Sequence, residues 1–261
     1  MKTFSKIIMA LIAIIMCTFT ISCSKEETYS EKKLVKFGNE SQTYTFSYDR
    51  NGKLTKASEV RKDSNGTYYY DYQYTWSDGS IKVDYKYKQS SEETYDSNYS
   101  YSLLLENGVI KKKSNVYNEY TTTISYNQSL KFSKSERVRT DGNILTYTAE
   151  WDGDKMVCMN KNWWNTRIDI STYYYEGESC SKGYSPLIPN DMLQDIIFIA
   201  HPEIGGMRTN QLPSTRFLHQ GPPDSDKTKG ETSTYSYEFD EDGYLTQIKI
   251  DDREIYTCTW E

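Results

Sequence analysis

The feature that most restricts this chain is an aromatic residue at every second position over long runs. Tyr68, Tyr70, Tyr72, Tyr74 and Trp76 alternate with Tyr69, Asp71, Gln73 and Thr75. Successive side chains of a strand point to opposite faces, so this run makes a strand with one aromatic and one polar face. The same period marks Tyr44, Phe46 and Tyr48; Tyr99, Tyr101, Leu103 and Leu105; Tyr147, Ala149 and Trp151; and Tyr235, Tyr237 and Phe239. Tyr occurs 25 times, while all hydrophobic residues together reach only 36% and mean hydropathy is -0.79. The dry side of the fold is therefore built from rings more than from Leu, Ile and Val.

Turn signals fall where the runs stop. Asp78-Gly79, Asn107-Gly108, Asp141-Gly142 and Asp152-Gly153 suit tight hairpins, and Asp49 to Gly52 and Asp240 to Gly243 suit longer turns. Neighbouring strands should pair antiparallel, about fifteen of them by the usual strand length. Twist accumulates over so many strands, so the chain reads as all-β, an antiparallel up-and-down meander curled into a barrel or half-barrel. The uneven spacing of the turn glycines disfavours a propeller or solenoid.

One segment breaks the rhythm. Residues 184 to 223 hold all six prolines and both His, with Met192, Ile196 and Ile199 at helical spacing after Asn190 as a candidate N-cap. A short helix and a long loop are expected here, serving either as a lid or plug or as a helix closing one end of the barrel.

The N-terminus carries an address. Lys2 and Lys6 precede an uncharged apolar stretch, Ile7 to Ile21, and Ser22 precedes Cys23. This is the pattern of a lipoprotein export signal, residues 1 to 22, cut before an acylated Cys23. Residues 23 to 33 then read as the acylated Cys and a flexible tether, and 34 to 261 as a single barrel-like domain. Ser24-Lys25-Glu26-Glu27 resembles the acidic tag that sends Bacteroidetes lipoproteins to the outside of the outer membrane.

Three stretches carry a family resemblance: Tyr44 to Thr55, which reads Tyr-x-Phe-x-Tyr-Asp-x-x-Gly-Lys-Leu-Thr; Asn210-Gln211-Leu212-Pro213; and Tyr237 to Thr246. Together they resemble the Bacteroidetes lipoprotein domain of unknown function with a porin-like fold, over roughly residues 34 to 261. The resemblance implies a lipid-anchored, exported, antiparallel barrel and brings no catalytic or binding residues with it.

Removing Lys2 and Lys6 with the signal leaves 29 basic against 37 acidic residues, a formal charge of -8. That balance argues against a nucleic-acid partner. Cys158, Cys180 and Cys258 remain after processing, so at most one disulfide can form, and their spacing matches no metal site. No phosphate loop, nucleophile elbow or His-Glu-x-x-His motif occurs, and His201 with Glu203 reads as a solvated loop, so no enzyme, metal or cofactor is expected. Aromatics that leave the dry face are the better clue. Trp163-Trp164 are adjacent, so one should point outward; with Tyr174 and Tyr69 they form a candidate binding surface. The resulting expectation is a surface-exposed outer-membrane lipoprotein that binds an extracellular glycan without chemistry. The alternative is a lipid or hydrophobic-ligand carrier with a lid at 184 to 223. In either case the membrane is reached through the lipid on Cys23.

Overall fold

The computed structural model describes residues 31–89, 94, 97–115, 120–187 and 195–261. The compact unit Lys32–Glu261 is a closed antiparallel barrel of sixteen described strands. In chain order these are β1 (Leu34–Gly38), β2 (Gln42–Tyr48), β3 (Leu54–Asp63), β4 (Gly66–Ser77), β5 (Ser80–Gln89), β6 (Ser97–Glu106), β7 (Val109–Asn115) and β8 (Tyr120–Tyr126). They continue as β9 (Phe132–Arg139), β10 (Ile144–Asp152), β11 (Lys155–Trp163), β12 (Arg167–Tyr174), β13 (Thr215–Gly221), β14 (Glu231–Phe239), β15 (Leu245–Ile250) and β16 (Glu254–Trp260). Each strand pairs with the next, and β1 pairs with β16 to close the ring.

Because the strands alternate in direction, the turns alternate between two ends. One end carries the turns after β2, β4, β6, β8, β10, β12 and β14 together with the first and last strands' outer termini. Here an apolar residue at the first or second position of every odd strand except β13 is sealed from solvent: Leu34, Leu54, Ile81, Ile110, Phe132, Met156 and Leu245 are all at most 1% exposed. The register shifts in most of these hairpins, between Ser47 and Tyr48, Leu104 and Leu105, Ser125 and Tyr126, Glu150 and Trp151, and Glu238 and Phe239. An extra residue on one strand bends it and frees a carbonyl from the ladder.

Those carbonyls are taken up by an aromatic ring from the neighbouring strand. Tyr48 Oη donates to Leu34 O, Trp76 Nε1 to Leu54 O, Trp151 Nε1 to Phe132 O and Trp260 Nε1 to Leu245 O, each at 2.7 Å. Tyr126 reaches Ile110 O and Tyr175 reaches Met156 O in the same way, and Tyr237 donates to Pro213 O just ahead of β13. The last aromatic of a run thus packs a ring and satisfies a polar group at once.

A single layer of side chains cannot fill a barrel this wide. The chain between β12 and β13 fills one end of it. Helix α1 (Ile196–Ala200) is buried at every residue, and a 3-10 turn (Pro202–Gly205) follows. The helix N-cap is Asp195, whose carboxylate accepts from Ile197 N; the expected cap Asn190 and Met192 lie outside the described residues. Tyr184 Oη donates to Ile199 O at 2.8 Å, and Met207 and Leu212 are fully buried. Residues 215–221 of the stretch expected to form helix and loop are barrel strand β13. The described remainder, 184–187 and 195–212, is a plug and part of the core, in place of a detachable lid. It had looked like a loop because its apolar residues face a surrounding sheet and need no period of two.

Candidate ligand-binding cup

With one end plugged, the inward residues grade from buried to half-exposed toward the other end. On β4 to β6, Tyr74 and Tyr101 are buried at 5% and 7% exposure, while Tyr70, Tyr72, Tyr85, Tyr87 and Tyr99 are half-buried. Registry sets these rings side by side, since Tyr72 lies opposite Tyr85 and Tyr85 opposite Tyr99. Their centroids lie 5.4 Å apart for Tyr72 and Tyr85, 5.1 Å for Tyr85 and Tyr99, and 5.7 Å for Tyr70 and Tyr87, all close to parallel. Burial pushes the Tyr85 hydroxyl up to about 12, so it stays a neutral donor at ordinary pH. The Arg61 guanidinium lies 5.3 Å from the Tyr70 ring centroid and donates to Tyr70 Oη at 2.7 Å. Buried Glu59 accepts from Gln42 Nε2 at 2.6 Å.

A second wall, on β9 to β12, is aromatic and cationic. Lys161 Nζ sits 3.7 Å from the Trp163 ring centroid and 5.1 Å from that of Tyr147. Asp169 braces this group, accepting from Trp163 Nε1 and from Arg167 Nε, both at 2.8 Å. The Arg137 guanidinium lies 4.8 Å from the Tyr120 ring, and Arg139 stands 6.0 Å from Trp164 at the rim. Burial pushes Tyr147 up to about 12, which again keeps it neutral.

Sequence reasoning missed these cations. Strict alternation from Phe132 would turn Arg137 and Arg139 outward, and from Met156 it would do the same to Lys161. The register shifts move parity by one, so Phe132 is followed inside by Ser135 and Arg137, and Met156 by Met159 and Lys161. An inward residue three places after the first buried apolar residue of the register-shifted odd strands is the signal that would have exposed this: Leu54 and Ala57, Ile110 and Lys113, Leu245 and Ile248 repeat it.

The four residues expected to form one surface are separated. Trp163 ends β11 and faces inward at the rim. Trp164 is not its strand neighbour but the first turn residue, at φ 48° with Asn165 at 57°, and is 39% exposed. The two indoles meet edge to face at 5.9 Å. Tyr69 and Tyr174 are on the outer face, 37% and 55% exposed, on β4 and β12, eight strands apart around the ring. Tyr69 carries Lys88 at 5.8 Å.

The remaining chemical candidates are structural. His201 is buried, not solvated: Nδ1–H donates to Glu203 Oε1 at 2.7 Å, and Nε2 accepts from Leu54 N at 3.1 Å, tying the plug to β3. His219 sits on β13, where Nδ1–H donates to Lys229 O. The turn carboxylates Asp240 and Asp242 take the Lys32 ammonium at 3.7 and 2.7 Å. Cys158, Cys180 and Cys258 are all thiols; Cys180 and Cys258 are buried, and Cys158 is half-buried on β11.

Neither protein-family models nor curated proteins give a match to the sequence. Among solved structures, the chain is similar to a porin-like protein from Bacteroides uniformis, with a TM-score of 0.62 at 17% identity over 87% of this chain and 98% of that one. The barrel is porin-like in fold. A porin-like protein from Bacteroides vulgatus aligns over 88% of this chain and 82% of its own, at 10% identity and a TM-score of 0.32. The outer face of the present barrel is unlike a lipid-facing one. On β5 it carries Lys82, Asp84, Lys86 and Lys88, opposite Thr75, Gln73, Asp71 and Tyr69 of β4. A lysine at a bilayer midplane costs about 2–4 kcal/mol, so such a row suits water.

Proposed function

We propose that this protein is an outer-membrane lipoprotein, anchored through an acylated Cys23 and displayed on the cell exterior, that binds an extracellular glycan in the cup without chemistry on it. The observation that carries this reading is the stack of half-exposed tyrosines on β4 to β6 facing the Lys161, Trp163 and Trp164 wall. Pyranose rings offer apolar C–H faces to such planes and hydroxyls to the donors between them. The chain enters the barrel at the plugged end, where Lys33 and Glu261 exchange backbone hydrogen bonds. A tether from Cys23 would therefore leave the cup facing away from the membrane. The charged outer face supports a barrel standing in water above the lipid, and the acyl anchor would supply the attachment that the wall does not.

A carrier for an acyl chain is favoured less, because Ile197, Phe198 and Met207 of the plug fill the driest part of the interior and the rest is lined by tyrosines and cations. Titration calorimetry of the purified protein with an oligosaccharide panel and with a long-chain fatty acid separates the two readings. Saccharide binding that weakens in Tyr87→Ala is the expected result. Retention of the fatty acid alone would overturn the glycan reading. Protease shaving of intact cells tests display, and survival of the uncut protein would place it inside.

A further inference from the structure

We infer that the cup selects anionic saccharides, those bearing carboxylate or sulfate groups, and that Arg137, Arg139, Lys161 and Arg167 form its anion-reading side. The inference rests on the glycan reading and adds the ligand's charge.

Charge is distributed unevenly. The chain from Cys23 onward carries a formal charge of -8, from 29 basic and 37 acidic residues. The wall on β9 to β12 nevertheless places four cations inward, against Asp169 and the turn residue Asp141, a net of +2. A concave wall of net positive charge within a net negative molecule concentrates field in the opening and draws anions there. The alternating register did not demand this. Lys134 and Glu136, on the outer side of β9, form an ordinary exposed pair at 2.8 Å.

The cations are also held in fixed positions. Ring faces flank Lys161 and Arg137, and Asp169 locks Arg167 against Trp163. A guanidinium with one edge braced presents its other N–H groups in a plane suited to a carboxylate or sulfate. The adjoining indoles offer a stacking surface for the sugar that carries the anion.

A small cavity lies between the wall and Phe198 of α1, lined by Lys113, Thr122, Arg137 and Tyr147 among others. Arg137 Nε, Thr122 Oγ1 and Tyr147 Oη are buried there without a hydrogen-bond partner. Buried polar groups are rarely left so, and three donors around one small space ask for an acceptor oxygen. The space is about the size of one water, so a bridging water would serve these donors, and the anion site lies above them in the cup.

The test is calorimetry of the purified protein with an oligogalacturonate, a heparin tetrasaccharide and neutral maltohexaose, at about 50 and 300 mM salt. Expected is roughly tenfold tighter binding of the two charged probes at low salt, a margin that shrinks at high salt. Arg139 and Arg167 are half-exposed side chains, so Arg139→Gln with Arg167→Gln should fold and lose most of that margin. Lys56→Gln with Lys62→Gln removes the same charge from the outer face of β3 and should keep it. Equal affinity for neutral and charged probes, or the same loss in the outer-face variant, would overturn the selectivity and leave the glycan reading standing. Binding of none of the three would overturn both.

Discussion

Lys113 Nζ and Asp195 Oδ2 meet at 2.7 Å inside the barrel, joining a wall strand to the cap of the plug helix. Tyr101 Oη adds a hydrogen bond to the same carboxylate at 3.0 Å, and the Lys113 ammonium lies 4.0 Å from the Tyr101 ring centroid. Asp195 is almost wholly buried and Lys113 nearly so. Removing one member strands a charge away from water. Asp195→Ala should therefore cost roughly 3–5 kcal/mol in denaturant unfolding. Adding Lys113→Met should restore much of it. If the double variant is no more stable than the single one, the pair is not the plug's main tie to the wall.

The ring of aromatic donors at the plugged end predicts small, separable losses. Tyr48→Phe and Tyr126→Phe keep the rings and delete only the hydroxyls that serve Leu34 O and Ile110 O. Each should cost roughly 1 kcal/mol, and together roughly twice that, since they belong to different hairpins. Chemical denaturation measures both. A double variant as stable as the wild type would mean that the freed carbonyls find other donors.

Trp164 holds a backbone conformation that bulky residues avoid. At φ 48° beside Asn165 at 57°, it takes the first left-handed position of the three-residue turn Trp164 to Thr166, a conformation that Asn and Gly favour. Trp164→Asn should raise stability by about 1 kcal/mol through relief of that strain. It should also weaken saccharide binding, by roughly tenfold if the indole stacks on the ligand. Thermal melting and titration of one variant give both numbers. Unchanged affinity would remove Trp164 from the site.

Glu59 gives the fold a pH dependence. Burial raises its carboxyl above the ordinary carboxylate range, although the hydrogen bond from Gln42 acts the other way. A group whose pKa is higher in the folded state contributes stability at low pH, and that contribution is lost as pH rises through the folded value. Glu59→Gln keeps an acceptor for Gln42 and removes the charge. It should match the wild type near pH 4 and exceed it above neutrality, read as melting temperature across pH. A wild type that gains on the variant as pH rises would mean the ionised form is the stabilised one.

Much of the architecture was legible. Alternating aromatics, as in Tyr68 to Trp76, state which segments are strands, and the Asp-Gly and Asn-Gly pairs state where they reverse. The turn at Asn127 to Leu130 escaped notice because Leu130, at φ 56°, stands where Gly52 and Gly243 stand in the matching turns. Its readable signal is the Asx residue that opens it. Asn127 Oδ1 accepts from Ser129 N and Lys131 N, as Asp49 Oδ1 does from Asn51 N and Lys53 N. The binding surface was less legible. Tyr69 and Tyr174 are outward as alternation requires, but two outward residues on strands eight apart cannot share a ligand.

The sequence by itself determined an all-β chain of alternating strands that had to curl, because one face of so many strands is too aromatic for water. Only the tertiary structure decided what stands inside. Phe132 and Arg137 stand five positions apart, as do Met156 and Lys161, and Leu54 and Glu59; strict alternation would put each pair on opposite faces. Register shifts near the hairpin turns bring them to the same side. A bulge depends on two strands meeting and on a ring from a third position donating a hydrogen bond to the displaced carbonyl, so no single strand's pattern contains it. Closure of β1 on β16 is likewise a long-range event, and it is this ring that turns a row of aromatics and cations into a cup.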